Sequence, residues 1–272
     1  MNKTSEIESY SKNLKKNILY MAKVASSKSA HIGGALSLSE IISVIFCNYF
    51  KKPETKSSNR NRIILSKGHA CLALYGALYQ SGFIKKKILD TFEESGSDLL
   101  GHPIKNRKIG IDFSTGSLGM GLSLGTGVAV GLKKKKINKK VFVIIGDGEC
   151  NEGMIWESAM LVPHLKLNNI IAIIDNNNFQ QTGSLKEILT NNNLKQKWKS
   201  FGWNVKEVDG HDIKNLNKIF TKKEKTTKPL LVLAKTVKGN KINLFKNDNK
   251  WHHSVLTEKN YNDSIAFIEK KK

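Results

Sequence analysis

Long apolar runs are missing from this 272-residue sequence. The longest, around Val141 to Ile145 and Ile170 to Ile174, have the length of strands and fall far short of the roughly 20 residues that span a bilayer. The N-terminus also lacks the apolar stretch and the small-residue cleavage site of a signal peptide. We therefore expect no membrane span and a cytoplasmic location.

Cysteine and proline are scarce. The three cysteines, Cys47, Cys71 and Cys150, are too few and too widely spaced for a disulfide framework or a structural zinc site, so we expect reduced thiols. With only 4 Pro and with 39% hydrophobic residues, the composition is that of a globular chain and argues against disorder.

Acidic residues are outnumbered, because 23 Asp and Glu oppose 45 Lys and Arg and leave a net charge of +22. A balance of this kind would ordinarily suggest nucleic-acid binding. However, Arg60, Arg62 and Arg107 are the only arginines, and base readout and bidentate phosphate contacts favour arginine over lysine. The excess is typical of a lysine-rich compositional drift, so nucleic acid is not the expected partner.

Strand-like apolar runs alternate with helical patterns along the chain. The predicted strands are Arg62 to Ser66, Val141 to Ile145, Ile170 to Asp175, Trp203 to Val208 and Pro229 to Ala234. The predicted helices include Leu14 to Val24, Leu38 to Phe50 after Ser37, Ala70 to Tyr79 and Met154 to Leu165. This alternation predicts an α/β fold, a parallel sheet with helices on both faces.

The simplest organisation is a single domain over 1–272. It would comprise a helical N-terminal region (1–60), an α/β core (61–240) and a C-terminal tail (241–272). Lysine runs at 133–136, 222–228 and 270–272 lie between or after the predicted elements, where we expect solvated turns.

The most informative segment follows the second predicted strand. There the turn Gly146-Asp147-Gly148 leads into a helix and a third strand, which ends at Asn176-Asn177. Because a right-handed crossover makes the two strands parallel, Asp147 and Asn177 both emerge at the carboxyl edge of the sheet, where open α/β sheets bind ligands. Their oxygens suit a magnesium ion completed by phosphate oxygens, and the two glycines let the backbone approach a diphosphate. The tripeptide alone also fits an ordinary tight turn; the paired spacing favours the metal site.

These residues resemble the thiamine diphosphate enzymes, whose magnesium-diphosphate motif pairs Gly-Asp-Gly with Asn-Asn at the spacing seen here, 27 residues from 149 to 175. Further segments narrow the resemblance to the N-terminal half of transketolase, over about residues 10 to 240. They are Ser29-Ala30-His31-Ile32-Gly33-Gly34, Leu65-Ser66-Lys67-Gly68-His69-Ala70, Gly101-His102-Pro103, Ser114-Thr115-Gly116-Ser117-Leu118-Gly119-Met120-Gly121, and Phe201-Gly202-Trp203 through Val208-Asp209-Gly210-His211-Asp212.

The resemblance implies a set of site residues. The implied catalytic residues are His31, His69, His102, Glu152 and His252, with the histidines lining the channel to the thiazolium and His102 near the donor hydroxyls. The implied cofactor-binding residues are His69, Gly116, Ser117, Leu118, Gly146, Asp147, Gly148, Glu152 and Asn177. The implied ligands of Mg²⁺, or of Ca²⁺ or Mn²⁺ in its place, are Asp147, Asn177 and Phe179.

Local explanations exist for some of these residues. A histidine in a loop is more often solvated or a local hydrogen-bond partner than catalytic, and a glutamate such as Glu152 near a helix start is favoured by the helix dipole. The resemblance gives Glu152 a further role, a hydrogen bond across a subunit interface to the acid that activates the aminopyrimidine. His164, His211 and His253 are interpreted as structural.

The chain departs from the family pattern in three segments. Ala30 and Ile32 flank His31 where Gly-His-Pro-Gly-Gly is usual. The segment Lys238-Gly239-Asn240-Lys241-Ile242 stands where Lys-Gly-Lys-Gly is common. Trp251-His252-His253-Ser254 replaces Trp-His-Gly, which makes His252 the least secure assignment.

The resemblance is strongest to the smaller chain of split transketolases, so it also implies a partner. Full-length transketolases continue into a pyrimidine-binding and a C-terminal domain, and we expect a second subunit to supply both in an α2β2 assembly. The implied reaction transfers a two-carbon ketol unit from a ketose phosphate to an aldose phosphate. Alternatives are another thiamine diphosphate activity, 1-deoxyxylulose-5-phosphate synthase-like or 2-oxoacid carboligase, and a non-catalytic polyanion-binding relic of the fold.

Overall fold

The computed structural model describes residues 2–51, 53–55, 57–222 and 226–270. Of the lysine runs predicted as turns, residues 223–225 of 222–228 and residues 271–272 of 270–272 lie outside these residues, whereas Lys270 is the last residue of a helix. The strands are β1 (Arg62–Leu65), β2 (Val141–Gly146), β3 (Ile170–Asn176), β4 (Asn204–Asp209) and β5 (Leu230–Lys235). All neighbouring strands pair in parallel, in the order β1-β2-β3-β5-β4.

Helices connect these strands. They are α1 (Lys3–Val24), α2 (Gly33–Leu36), α3 (Ser39–Tyr49), α4 (Cys71–Gln80), α5 (Lys86–Leu89), α6 (Met120–Lys134), α7 (Gly153–His164), α8 (Leu185–Ile188), α9 (Leu194–Ser200), α10 (Ile213–Thr221) and α11 (Glu258–Lys270). None of the helices in the described part of the chain combines the length and apolar character needed to cross a membrane.

The sheet has a buried core on each face. Along β2, Phe142 and Ile144 join the core built with α1, α3, α4 and α10, whereas Val143 and Ile145 join the core built with α6, α7 and α9. Strands covered on both faces read as continuous apolar runs, which is why β2 and β3 were recognisable from the sequence. The predicted α/β fold, with a parallel sheet and helices on both faces, is confirmed.

The predicted boundaries are wrong in three places. Helix α1 begins at Lys3 instead of Leu14, because its first turns are amphipathic and polar on the outer side. Lys133 and Lys134 form the last turn of α6, where lysines favour the negative end of the helix dipole, and not a solvated turn. The segment 241–270 is no simple tail, because α11 packs against α1.

Ser37, which precedes the predicted helix from Leu38 to Phe50, does not cap α3. The N-cap of α3 is Leu38, without a side-chain hydrogen bond, because the Ser37 hydroxyl lies 2.5 Å from the Asp175 carboxylate and also reaches the carbonyl of Gly34. Hydrogen bonds to an ionised carboxylate are stronger than those between neutral groups, which favours this contact of the Ser37 hydroxyl.

Candidate active site

The two predicted metal-binding turns meet at the carboxyl edge of the sheet. Gly146, the last residue of β2, pairs with Asp175 of β3, and the next residue, Asp147, is 1% exposed. The Asp147 carboxylate accepts hydrogen bonds from the backbone N–H of Gly148 (2.8 Å) and of Asn178 (2.5 Å). Burial, and then the negative charge of Asp175, raise the pKa of Asp147 to about 7. A bound cation would remove this penalty on the charged form.

Asp175 is the second carboxylate at this edge, and the chain itself neutralises it. Lys67, whose side chain is buried, places its Nζ 2.5 Å from Asp175 Oδ2. Ser37 and Thr236 donate hydroxyl hydrogen bonds to the same carboxylate. Burial would raise the pKa of Asp175, but the Lys67 ammonium and these hydrogen bonds hold it below its usual value.

Asn177 links the Asp175 carboxylate to the following turn. Its amide donates to Asp175 (3.2 Å), and its Oδ1 accepts from the backbone N–H of Phe179 (3.0 Å). The side chain of Phe179 has no donor atom for a metal, so its carbonyl oxygen is the group that could serve. A carboxylate, an amide oxygen and a carbonyl are hard oxygen ligands of the kind that magnesium takes beside phosphate oxygens.

The described residues contain no cluster of three or more His, Cys, Asp or Glu side chains that could hold a metal by themselves. A metal here would therefore need oxygens from a ligand, as a diphosphate would supply. Two polar atoms near the site are buried without a hydrogen-bond partner, Nε2 of Gln180 and Oγ1 of Thr115. The Gln180 side chain lies against Gly148, where an added Cβ would be 2.8 Å from Gln180 Cγ. Unsatisfied polar atoms at this place fit a site built for a polar ligand.

Five histidines form one wall of this edge. We call His31, His69, His102, His252 and His253 the histidine cluster. The ring centroid of His31 lies 5.6 Å from that of His69, 5.4 Å from His102, 5.3 Å from His252 and 4.4 Å from His253. The structure thus brings together the four predicted histidines, and it adds His253, which was interpreted as structural.

Four imidazoles of the cluster, those of His31, His69, His102 and His252, have lowered pKa values and are held neutral. Burial, and then the neighbouring His253 and His252, lower the pKa of His31 to about 3. Burial, and then the charge of Lys238, lower the pKa of His252 to about 4. Burial also lowers the pKa of His69 and of His102. A neutral imidazole offers one donor and one acceptor nitrogen, which suits hydroxyl groups and proton transfer.

The predicted cofactor-binding residues Gly116, Ser117 and Leu118 lie next to the histidine cluster, and Gly116 packs against it. Gly116 has φ +140°, and a Cβ there would lie 2.8 Å from the His102 ring. Gly68, beside His69, packs so closely that a Cβ would lie 2.7 Å from the backbone of Gly116. Both positions require glycine. Ser117 and Leu118 follow, exposed and half-buried respectively, before α6 begins.

Glu149, which the sequence reading left without a role, fixes the glycine turns. Its buried carboxylate accepts hydrogen bonds from the backbone N–H groups of Gly146 (3.0 Å) and Gly119 (2.9 Å) and from the Ser66 hydroxyl. Glu152, in contrast, is exposed at the N-terminus of α7, and its Cβ would lie 2.9 Å from a Cβ at Gly119. Glu149 therefore positions the loops, whereas Glu152 is accessible to another molecule.

A second buried lysine completes the site. The Nζ of Lys238 lies 3.3 Å from Nδ1 of His252, hydrogen-bonds Asn249, and stands 5.3 Å from the centroid of the Phe179 ring. Burial, and then the charge of Lys67, lower the pKa of Lys238 to about 8. Two buried lysines beside Asp147 and Asn177 make this edge suitable for an anion that arrives with a metal.

Sequence reasoning missed Lys67, Asp175, Lys238 and His253. Asp175 and Lys67 did carry a signal, since each is a charged residue that directly follows or ends an apolar strand. Lys238 and His253 lie in loops without periodicity, and nothing local marked them.

The comparison with protein families agrees with this geometry. Residues 11–267 match the model described as transketolase, thiamine diphosphate binding domain. The chain belongs to this transketolase family. It is therefore a member of a thiamine diphosphate-binding domain family, as its sequence motifs predict.

Relatives of this transketolase chain include proteins of similar length. It is 36% identical over 251 residues to one subunit of the apulose-4-phosphate transketolase of Phocaeicola vulgatus, covering 91% of this chain and 89% of the relative. It is 35% identical to the 6-deoxy-6-sulfo-D-fructose transketolase subunit SqwG of Clostridium sp. (strain MSTE9), covering 88% of each. The transketolase structure from Campylobacter jejuni superposes with a TM-score of 0.86 at 28% identity, over 99% of this chain but 43% of that one.

Proposed function

We propose that this chain is the diphosphate- and magnesium-binding subunit of a split transketolase. With a second subunit it would transfer a two-carbon ketol unit from a ketose phosphate to an aldose phosphate. The observation that carries the proposal is the meeting of Asp147 and Asn177 with the histidine cluster at one edge of the sheet. The similarity to relatives named as transketolase subunits supports the same function.

In this proposal the residues around Asp147 hold the cofactor. Asp147, Asn177 and the carbonyl of Phe179 would bind the magnesium ion, and Lys238 would balance part of the charge of the diphosphate. His69 and the backbone at Gly146 and Gly148, with the turn at Gly116, Ser117 and Leu118, would contact the cofactor. Thiamine diphosphate, when bound, supplies the electron sink that makes carbon–carbon cleavage feasible.

The histidine cluster would bind the sugar substrate and transfer protons to and from it. The neutral rings of His31 and His252 can hold donor hydroxyls through one nitrogen and accept a proton at the other. His102 is exposed at the rim, where it can reach the hydroxyls of an arriving sugar. Glu152 would hydrogen-bond to the acid that the partner subunit brings.

The partner would dock on the face that begins at Glu152. Met160, Leu161 and Leu165 lie further along or just after α7, and their exposed fractions are 53%, 46% and 37%. Clustered exposed apolar side chains of this size are typical of interaction surfaces. The partner would carry the pyrimidine-binding and C-terminal domains in an α2β2 assembly.

The proposal treats residues 1–272 as one domain and places the complex in the cytoplasm. Support for that location comes from Cys47, Cys71 and Cys150, which are free and buried, as in proteins of a reducing compartment.

The test begins with purification of the tagged chain from its native lysate in the presence of thiamine diphosphate and magnesium. We expect a stoichiometric second chain with a pyrimidine-binding domain. The isolated complex should then convert a ketose phosphate and an aldose phosphate only when both cofactors are present. Recovery of the chain alone under gentle conditions would contradict the proposal, as would pyruvate consumption by the complex without ketol transfer.

A further inference from the structure

A short backbone bridge sets His253 opposite His31. Ala30 and Ser254 form an isolated antiparallel bridge, with N–H to carbonyl distances of 3.0 Å and 3.1 Å. In an antiparallel pair, the residue after one partner faces the residue before the other, so His31 and His253 are opposed. Their ring centroids lie 4.4 Å apart, a shorter distance than from His31 to its other three ring neighbours. The position of His253 is thus fixed by backbone pairing and is not an accident of a loose loop.

The Ser29 hydroxyl lies against the ring of His253. It donates to the carbonyl of Lys28 at 2.7 Å, and its oxygen lies 3.0 Å from Nε2 and 3.2 Å from Nδ1 of His253. In either tautomer of the neutral ring, one nitrogen carries the proton and the other is an acceptor. Because the His253 side chain is exposed, this acceptor can meet a molecule that enters the site.

His253 lies at the outer end of a row of rings. The ring of His69, which is half-buried and close to Lys67, has its centroid 5.6 Å from that of His31, and the ring of His31 lies 4.4 Å from that of His253, which is exposed. A molecule that enters the site along this wall must pass the acceptor nitrogen of His253.

We propose that His253 is a specificity-determining residue, which accepts a hydrogen bond from a hydroxyl group of the sugar substrate at the mouth of the site. The proposal rests on the proposed transketolase function. An acceptor nitrogen selects a hydroxyl, which can donate, over an unprotonated phosphate oxygen, which cannot. A site that pairs with a substrate hydroxyl discriminates strongly against the analogue that lacks it.

The experiment uses the assembled complex with variants of this chain. His253→Leu keeps most of the volume and removes the acceptor, whereas His253→Asn keeps an acceptor oxygen. The control is His164→Asn, at the exposed end of α7. Acceptor kinetics would be measured with D-ribose 5-phosphate and with its 2-deoxy and 3-deoxy analogues.

We expect His253→Leu to lower kcat/KM for D-ribose 5-phosphate about tenfold, mainly through a higher KM. The kcat/KM for D-ribose 5-phosphate divided by that for one of its deoxy analogues should fall by the same factor. In His253→Asn, most of this preference for the hydroxylated acceptor should remain. Thiamine diphosphate affinity should stay within about twofold in every variant, since His253 is outside the cofactor groups. An unchanged ratio in His253→Leu would overturn the proposal.

A second readout separates this proposal from the proposed function. Diethyl pyrocarbonate modifies exposed, unprotonated imidazoles, and peptide mass spectrometry locates the product. In the wild-type complex, D-ribose 5-phosphate should protect His253 but not His164. Protection without any ketol transfer would support the role of His253 while contradicting the transketolase reaction. If the complex catalyses ketol transfer but His253 is not protected, the role of His253 alone is contradicted. If there is neither protection nor ketol transfer, both the role of His253 and the transketolase function are overturned.

Discussion

The Lys67 ammonium lies 2.5 Å from the Asp175 carboxylate, at the edge of the sheet where Asp147 also emerges. The two carboxylates therefore differ in their partners. Asp175 is neutralised by a cation of the chain, whereas the hydrogen bonds to Asp147 in the described structure come from backbone N–H groups. Of the two, Asp147 is the carboxylate whose charge needs an external cation.

Replacing Asp147 with asparagine should abolish magnesium-dependent cofactor binding while preserving the fold. Asparagine keeps the volume and can still accept a backbone hydrogen bond, but it lacks the negative charge. Residues that merely orient metal ligands already change affinity by 10- to 100-fold, so we expect a loss of at least about 100-fold in the affinity for thiamine diphosphate with Mg²⁺. Calorimetry on the assembled complex measures this affinity. The control is Asp263→Asn, which changes an exposed residue of α11. Unchanged affinity would remove Asp147 from the metal site.

Lys238 should control the protonation of His252. Its Nζ lies 3.3 Å from His252 Nδ1, and its charge is, after burial, the largest cause of the lowered pKa of that ring. Lys238→Met should therefore raise the pKa of His252 toward its usual range. Long-range ¹H–¹⁵N spectra of histidine-labelled protein report each ring through a pH titration. Lys235→Met, on an exposed side chain at the end of β5, should leave His252 unchanged.

Glu40 should govern stability in acid. Despite its burial, hydrogen bonding by His211 and the charge of Lys15 lower its pKa to about 2 from 4.5. Because the folded state binds this proton less readily, its stabilising contribution is complete above pH 4.5 and is lost as the pH falls toward 2. Glu40→Gln should cost about 3 kcal/mol of unfolding free energy at pH 7.

Denaturant titrations at several pH values test this prediction. The difference between wild type and Glu40→Gln should shrink between pH 4.5 and 2, and Glu157→Gln, on the exposed side of α7, should show neither effect. A constant difference across that range would show that the carboxylate charge is unimportant.

Met160 should contribute to binding of the partner subunit. Its side chain is 53% exposed on α7, the helix that begins after Glu152. Met160→Lys places a charge in the proposed interface and should weaken assembly about 30-fold, which corresponds to about 2 kcal/mol. Sedimentation or surface-binding measurements give the affinity. Asn262→Lys adds the same charge to exposed α11 and should not change it.

His102→Ala should slow the cleavage of the donor sugar. The residue is at the rim of the histidine cluster, 5.4 Å between ring centroids from His31. Loss of a proton-transfer group of this kind lowers the rate about 100-fold. Rapid-mixing measurements of donor cleavage by the complex would show it, compared with His164→Ala. A normal rate with every donor tested would exclude His102 from the site.

The ends of a strand could be predicted from the sequence to within one or two residues where helices cover both faces of that strand. The Val141 and Ile170 runs became β2 and β3 because both faces of these strands are covered, and the paired turns at Asp147 and Asn177 met as predicted. Helix α1 was found but begins eleven residues early, since the polar residues of its first turns hide the apolar stripe that contacts α3 and α4.

The partners of the site residues were not predictable, because they are distant in sequence. Lys67 and Asp175 are 108 residues apart, and Ser37 and Asp175 are 138 apart. No local pattern reveals that Ser37, which directly precedes a predicted helix, hydrogen-bonds to a buried carboxylate instead of capping that helix. His253 owes its place to a two-residue bridge, which leaves no periodic trace in the sequence.

The Ala30–Ser254 bridge also bears on the order in which the molecule assembles. Ser29 and His253, which it brings together, are 224 residues apart, so this contact closes a loop that encloses the whole sheet. Contacts between residues so distant in sequence form after nearer contacts have brought the intervening segments together. The histidine cluster is therefore expected to be completed late in folding and to open early in local unfolding. A protease that cuts within 239–250 would disconnect His252 and His253 from β5 before the sheet itself is lost.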